Sequence, residues 1–184
     1  VSVGENHLKD YGYIINAGDS ISLIENGNVA STSFDLEDGD HAISFYAKDS
    51  AKNKADTSFT AIFDRQKPKL EIGGLENGFY NQPTTVNIEV TEDHLKDYGY
   101  RLDDGNFVSL MEGGNTASIE LDLQEGSHTI EFTAQDSANN DTTISRDLVV
   151  DKTKPRITIN TPEEDERYSG EVPVKFTIDD QNPD

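Results

Sequence analysis

The 184-residue chain has no cysteine, no tryptophan and a single methionine, and its 15 lysine and arginine residues face 36 aspartate and glutamate residues. Without cysteine there is neither a disulfide framework nor a thiolate metal centre. The net charge of −21 repels phosphate, which argues against nucleic acid and anionic membrane as partners. No run approaches the roughly 20 apolar residues that span a bilayer, so no membrane insertion is expected in this segment. The chain opens in mid-pattern at VSVGEN, so the lack of a leader there carries no information on destination. Hydrophobic residues make up 33% of the chain, enough for small β cores of about 90 residues each but not for one large α/β core. The acidity has two readings: solubility and self-repulsion of a long extracellular chain, or a set of oxygen ligands for a hard cation, Ca²⁺ first.

What is present is repetition. HLKDYGY occurs at His7–Tyr13 and again at His94–Tyr100. The same shift of 87 residues (94 minus 7) aligns Asp35-Leu36 with Asp122-Leu123 and Gly39-x-His41 with Gly126-x-His128. It also aligns AKDSAKN (47–53) with AQDSANN (134–140) and DRQKP (64–68) with DKTKP (151–155). Residues 155–181 match 68–93 with one inserted residue, setting Tyr168, Val174, Phe176 and Ile178 against Tyr80, Val86, Ile88 and Val90. Such a period suits a whole small domain. The expected organisation is a first repeat over 1–67 lacking its opening strands, a complete repeat over 68–154, and the first two strands of a third over 155–184. That pattern predicts a window on a longer array.

The hydrophobic period is two almost throughout, as in Val86, Ile88 and Val90 or Ile130, Phe132 and Ala134. Turn-forming clusters such as Asp103-Asp104-Gly105 and Ser137-Ala138-Asn139-Asn140 separate the strands. About seven strands, A, B, C, C′, E, F and G, predict an all-β fold of tandem immunoglobulin-like antiparallel sandwiches.

A-x-D-S-A-x-N before the last strand, D-x-x-x-P at the junction, and V-x-I-x-V after an aromatic together resemble tandem bacterial immunoglobulin-like repeats of large surface and secreted proteins, adhesins especially. The likeness covers the whole chain and rests on short, mainly structural motifs. That family often shows A-x-D-x-A-G-N with D-T-T-x-P. Here Lys52 and Asn139 stand in place of the glycine, and Arg65-Gln66-Lys67 or Lys152-Thr153-Lys154 fills the linker. The resemblance implies an extracellular, cell-surface spacer that projects a distal domain, with neighbouring repeats of the same chain as its contacts. The alternative is a module binding a host glycan or protein, compatible with an accessory role beside an extracellular enzyme.

Catalysis is not expected, because no G-x-S-x-G elbow, phosphate-cradling glycine loop or H-E-x-x-H occurs. The four histidines, His7, His41, His94 and His128, have no spacing that converges on zinc and suit turns or strand edges. In an immunoglobulin-like sandwich the entering linker arrives beside the B–C and F–G loops. Asp64 is therefore expected near Glu92, Asp93 and Asp136, and Asp151 near Asp179 and Asp180, as junctional Ca²⁺ ligands. The competing reading makes these aspartates caps of their own turns, with Lys67, Lys69, Lys154 and Arg156 neutralising the charge. Tyr98 and Tyr100, like Tyr11 and Tyr13, share a face and are expected to line the core. Finally, the third copy supplies the strands that the first lacks, so strand donation between chains is a further expectation.

Overall fold

The computed structural model describes residues 8–23 and 29–180. The chain divides into two compact units, Val1–Gln66 and Lys67–Asp184. The fold is all-β, as the period-two pattern requires.

The first unit holds β1 (Leu8–Ile15), β2 (Ile21–Ser22), β3 (Gly39–Asp49) and β4 (Lys54–Phe63). They form an antiparallel sheet in the order β2-β1-β3-β4. His7 lies outside the described residues. The turn after β1 uses Asn16 and Ala17 at positive φ, 50° and 55°, the conformation that matches the twist of a tight hairpin. Gly12 faces the short strand β2 so closely that any Cβ there would overlap the Ile21 carbonyl oxygen. That is why glycine separates the two tyrosines.

The second unit continues with β5 (Lys69–Gly73), β6 (Gly78–Tyr80), β7 (Thr84–Thr91), β8 (Leu95–Leu102), β9 (Val108–Ser109), β10 (Thr116–Leu121), β11 (Gly126–Asp136) and β12 (Asp141–Val150). One sheet has the order β10-β7-β5 and the other β6-β12-β11-β8-β9. The predicted strand A is split between them. Its first half, β5, pairs antiparallel with β7, Leu70 opposite Val90 and Ile72 opposite Ile88. The chain then crosses at Gly74 (φ 82°), and β6 runs parallel to β12 with Phe79 opposite Val149. This parallel edge departs from the wholly antiparallel expectation. Leu75 is buried at the crossing, and Arg146 Nε donates to its carbonyl oxygen at 3.2 Å.

The core follows the alternation. Leu70, Val86, Ile88, Val90 and Leu121 of one sheet belong to the same buried cluster as Tyr98, Ile130, Phe132, Ala134 and Leu148 of the other. Each large side chain buried this way contributes about 1.5–3 kcal/mol. In the first unit Tyr11 and Ile43 are buried like their counterparts Tyr98 and Ile130. Phe45, Ala47 and Phe63 are only half-buried, whereas Phe132, Ala134 and Val150 are buried.

The end of the second unit forms a separate antiparallel hairpin of β13 (Arg156–Thr161) and β14 (Lys175–Asp179). Ile157 lies opposite Ile178 and Ile159 opposite Phe176, repeating the β5–β7 pairing.

Candidate functional site

The repeated A-x-D-S-A-x-N motif builds the turn between β3 and β4 and, again, between β11 and β12. Asp136 is fully buried. One carboxylate oxygen accepts from the Asn140 backbone N–H at 2.8 Å and the other from the Asn140 side-chain amide at 2.7 Å. Burial would raise this carboxyl's pKa, but the hydrogen bonds from the Asn140 side chain and from the turn's backbone N–H groups outweigh it and hold the group below the usual carboxylate range. Asp49 and Asn53 repeat the arrangement at 2.8 and 2.6 Å. The hydrogen bonds from Asn53 likewise lower the Asp49 pKa. Asp136 thus differs from an outward-facing metal ligand: its charge is consumed inside the turn.

The neighbouring loop is tied to this turn. Ser137 donates its backbone N–H and its hydroxyl to the His94 carbonyl oxygen, both at 2.9 Å, and Lys96 Nζ donates to Asn139 Oδ1 at 2.8 Å. Glu92 accepts from the His94 backbone N–H at 3.0 Å, while Asp93 is exposed. The linker aspartates also serve local turns. Asp64 Oδ1 accepts from Gln66 N at 3.0 Å and Asp151 Oδ1 from Thr153 N at 2.9 Å, each two residues on. Asp179 is exposed and Asp180 half-buried. Among the described residues of the second unit, no three carboxylate or imidazole groups converge closely enough to share one ion. Lys69, expected to neutralise the linker, pairs instead with Glu71 on its own strand at 2.5 Å.

A pair of clamps was not read from the sequence. Arg65 donates to the Leu36 carbonyl at 2.6 Å, to Asp35 at 2.5 Å and to Asp38 at 3.3 Å. Lys152, its counterpart, donates to Asp122 at 2.9 Å and to the Leu123 carbonyl at 2.8 Å. The first residue after each linker aspartate is therefore fastened to the corner that precedes β3 or β11. The signal was present: a basic residue and an Asp-Leu pair recur at the same offset in both copies. On the far side of the first linker, Pro68 is buried and its carbonyl accepts from Thr142 Oγ1 at 2.7 Å.

Both corner histidines are structural. His41 and His128 donate through Nε2 to the carbonyls of Glu37 and Gln124, each at 2.8 Å. They differ at Nδ1. His128 meets the Asp103 carboxylate at 2.7 Å, whereas His41 meets the Asn16 side-chain amide at 2.9 Å. The hydrogen bond to Asp103 raises the His128 pKa above its ordinary value, and the same bond lowers that of Asp103.

The outer face of the β12-β11-β8 sheet carries an open cleft of about 510 Å³, lined by Asp97, Arg101, Phe107, Glu131, Thr133 and Gln135 among others. The Arg101 guanidinium lies over the Phe107 ring at 5.8 Å. The period-two pattern marks these positions only as solvent-facing, so nothing in it singled them out. The first repeat has Ile14, Ser44, Tyr46 and Lys48 in place of Arg101, Glu131, Thr133 and Gln135.

The fold resembles fibronectin(III)-like modules. A solved structure of such modules from Clostridium thermocellum CbhA matches with a TM-score of 0.50 and 13% identity, over 81% of this chain and 82% of that one. The likeness concerns the fold. In sequence, Bacillopeptidase F of Bacillus subtilis (strain 168) is 27% identical over 132 residues. The match covers 71% of this chain and spans 9% of the length of that protein. No protein-family model matches.

Proposed function

We propose that these repeats are structural spacers of a bacterial extracellular or cell-surface protein, holding a distal domain at a distance and taking no part in catalysis. The observation that carries this reading is the clamped linker. Arg65 is fastened to its own unit through three hydrogen bonds, and Pro68 is buried in the next. Gln66 and Lys67 alone separate the two anchors, so few backbone torsions are left to bend. Short clamped linkers are what a mechanical array needs, since every free torsion shortens its mean reach. The bacterial relative and the bacterial modules of like fold support the assignment to this class of protein.

The test uses the absence of native cysteine. Ser58→Cys and Glu120→Cys place one dye on an exposed residue of each unit. Single-molecule energy transfer between them should give one narrow distance distribution; a broad, solvent-averaged one would overturn the spacer reading. Junctional Ca²⁺ belongs to the same proposal, with Glu92 and Asp93 among the several carboxylates expected to supply its oxygens. A melting temperature that rises in Ca²⁺ and falls in chelator is its expected signature, and an unchanged one removes the ion.

The outer cleft favours a second reading, a carbohydrate- or protein-binding module. Its mixture of Arg101, Glu131, Thr133 and Gln135 beside the Phe107 ring offers both hydrogen-bonding groups and an aromatic face to a sugar. A glycan array probed with the whole chain separates the two readings. A pure spacer binds nothing, and a glycan signal lost in Arg101→Ala favours the module.

A further inference from the structure

The outer cleft of the complete repeat has a floor that crosses three strands. Gly99 of β8, Thr133 of β11 and Thr143 of β12 lie side by side there. All three are small, so larger side chains on either hand stand above them as walls. Asp97 and Gln135 flank the floor two residues away in one direction, Arg101 and Glu131 two residues away in the other. Four residues of extended strand set these walls about 13 Å apart. Phe107 stands at the β8 end, where a Cβ on Gly99 would come within 2.9 Å of its ring.

The first repeat fills the corresponding floor from within. Tyr46 takes the position of Thr133, directly across from Gly12 on β1 and Asp56 on β4. It stands on the outer face and is nevertheless only 9% exposed, with the Lys48 ammonium 5.3 Å from its ring centroid. In the complete repeat the hydroxyls of Thr133 and Thr143 meet at 3.0 Å, and the space of the tyrosine ring is left open. Gln135 stands in place of Lys48 and Glu131 in place of Ser44. Glu131 and Gln135 are half-buried, yet neither has a hydrogen-bond or ion-pair partner among the described residues.

We propose that this floor seats one uncharged pyranose ring of a glycan, in the place that Tyr46 fills in the first repeat. The inference rests on the binding-module reading of the cleft and narrows it to one ring, one repeat and one charge class. A phenyl ring from a partner protein would fit the space, but it would strip water from the Glu131 carboxylate and the Gln135 amide without replacing it. The hydroxyls of a sugar donate to Glu131 and both donate to and accept from Gln135, while its C–H face packs on Phe107. Acidic sugars are disfavoured because Asp97, Glu131 and Asp141 face Arg101 alone. Cationic sugars are disfavoured at the stacking wall, where the Arg101 guanidinium already lies over the Phe107 ring. In the first repeat Tyr46 excludes such a ring, so the site is not shared.

The whole chain, probed against an array of neutral, amino-bearing and carboxylated oligosaccharides, provides the test. Neutral hexose or N-acetylhexosamine glycans should give the signal. Thr133→Tyr restores the side chain of the first repeat and should lower that signal at least tenfold, with an unchanged far-ultraviolet circular dichroism spectrum. Gln135→Ala should weaken it several-fold at an unchanged melting temperature, and it decides the outcome if Thr133→Tyr does not fold. A signal confined to acidic or amino-bearing glycans overturns the assignment of an uncharged ring. Glycan binding that both variants leave intact overturns the ring seat and spares the binding-module reading. No glycan signal at all overturns both.

Discussion

Tyr98 and His128 show how much a single atom decides in this sandwich. Tyr98 is fully buried, and its hydroxyl has no hydrogen-bond partner among the described residues. Burial alone pushes its pKa up. An unpaired buried hydroxyl costs on the order of 1–3 kcal/mol in lost hydration. Tyr98→Phe keeps the ring and removes that cost, so it should stabilise the second unit by about 1 kcal/mol, read as a higher urea midpoint with an unchanged slope. The His128–Asp103 pair has a pH signature whose sign follows from its partners. The raised His128 pKa contributes stability that is complete below the ordinary value of 6.5 and is lost as pH rises through the raised value. The lowered Asp103 pKa contributes stability that is present above 3.8 and is lost as pH falls through the lowered value. Together they favour the second unit most between about pH 3.8 and 6.5. Asp103→Asn recreates the Asn16–His41 contact of the first repeat, and thermal melts from pH 5 to 8 should lose the decline on the alkaline side.

At the scale of elements, the F–G turn shows which parts of a repeat are free to vary. Its aspartate and asparagine are fixed by mutual hydrogen bonds, but the residue before the asparagine needs only a left-handed backbone. Lys52 has φ 75° and Asn139 φ 70°, a region that costs a residue with a Cβ about 1–2 kcal/mol. Lys52→Gly relieves that strain, offset in part by glycine's greater freedom in the unfolded chain. The net gain should be about 0.5–1 kcal/mol, measured by denaturant unfolding of the first unit. Glycine was legible as the favoured residue here only through the family resemblance. The strands themselves were legible because the core demands period two: Val86, Ile88 and Val90 point inward, and so do Ile130, Phe132 and Ala134. What was not legible has a physical reason in each case. The strand β6 is three residues long and carries no alternation to detect. Its parallel pairing is set by a backbone crossing at Gly74 and by the burial of Leu75, which sit within an unremarkable polar stretch. At the candidate site, the period and spacing placed Asp136 correctly in the F–G turn, yet could not say which way its carboxylate points. Asn140 decides that, and the arrangement matches the turn-capping reading.

For the molecule as a whole, the spacer reading proposed above turns on what would limit bending at the linker. With a net charge of −21, repulsion between like-charged surfaces opposes folding back at low salt, but it is screened over about 8 Å at physiological ionic strength. Geometry at the linker must therefore do most of the work. Arg65 meets Asp35, Asp38 and the Leu36 carbonyl and lies over the Phe63 ring at 5.9 Å. Its side chain is 51% exposed, so its ion pairs add little to global stability, about 1 kcal/mol or less. Its effect on local order is larger, because one planar guanidinium fixes a backbone segment against two aspartates and a carbonyl at once. Arg65→Ala should thus leave the melting temperature of the first unit within a few degrees of the parent and broaden the Ser58–Glu120 distance distribution severalfold. One molar salt should weaken the two aspartate contacts but spare the bond to the Leu36 carbonyl, giving an intermediate width. If the distribution stays narrow in Arg65→Ala, the guanidinium is not what holds the linker, and the turn in which Asp64 Oδ1 accepts from Gln66 N must restrain Gln66 and Lys67.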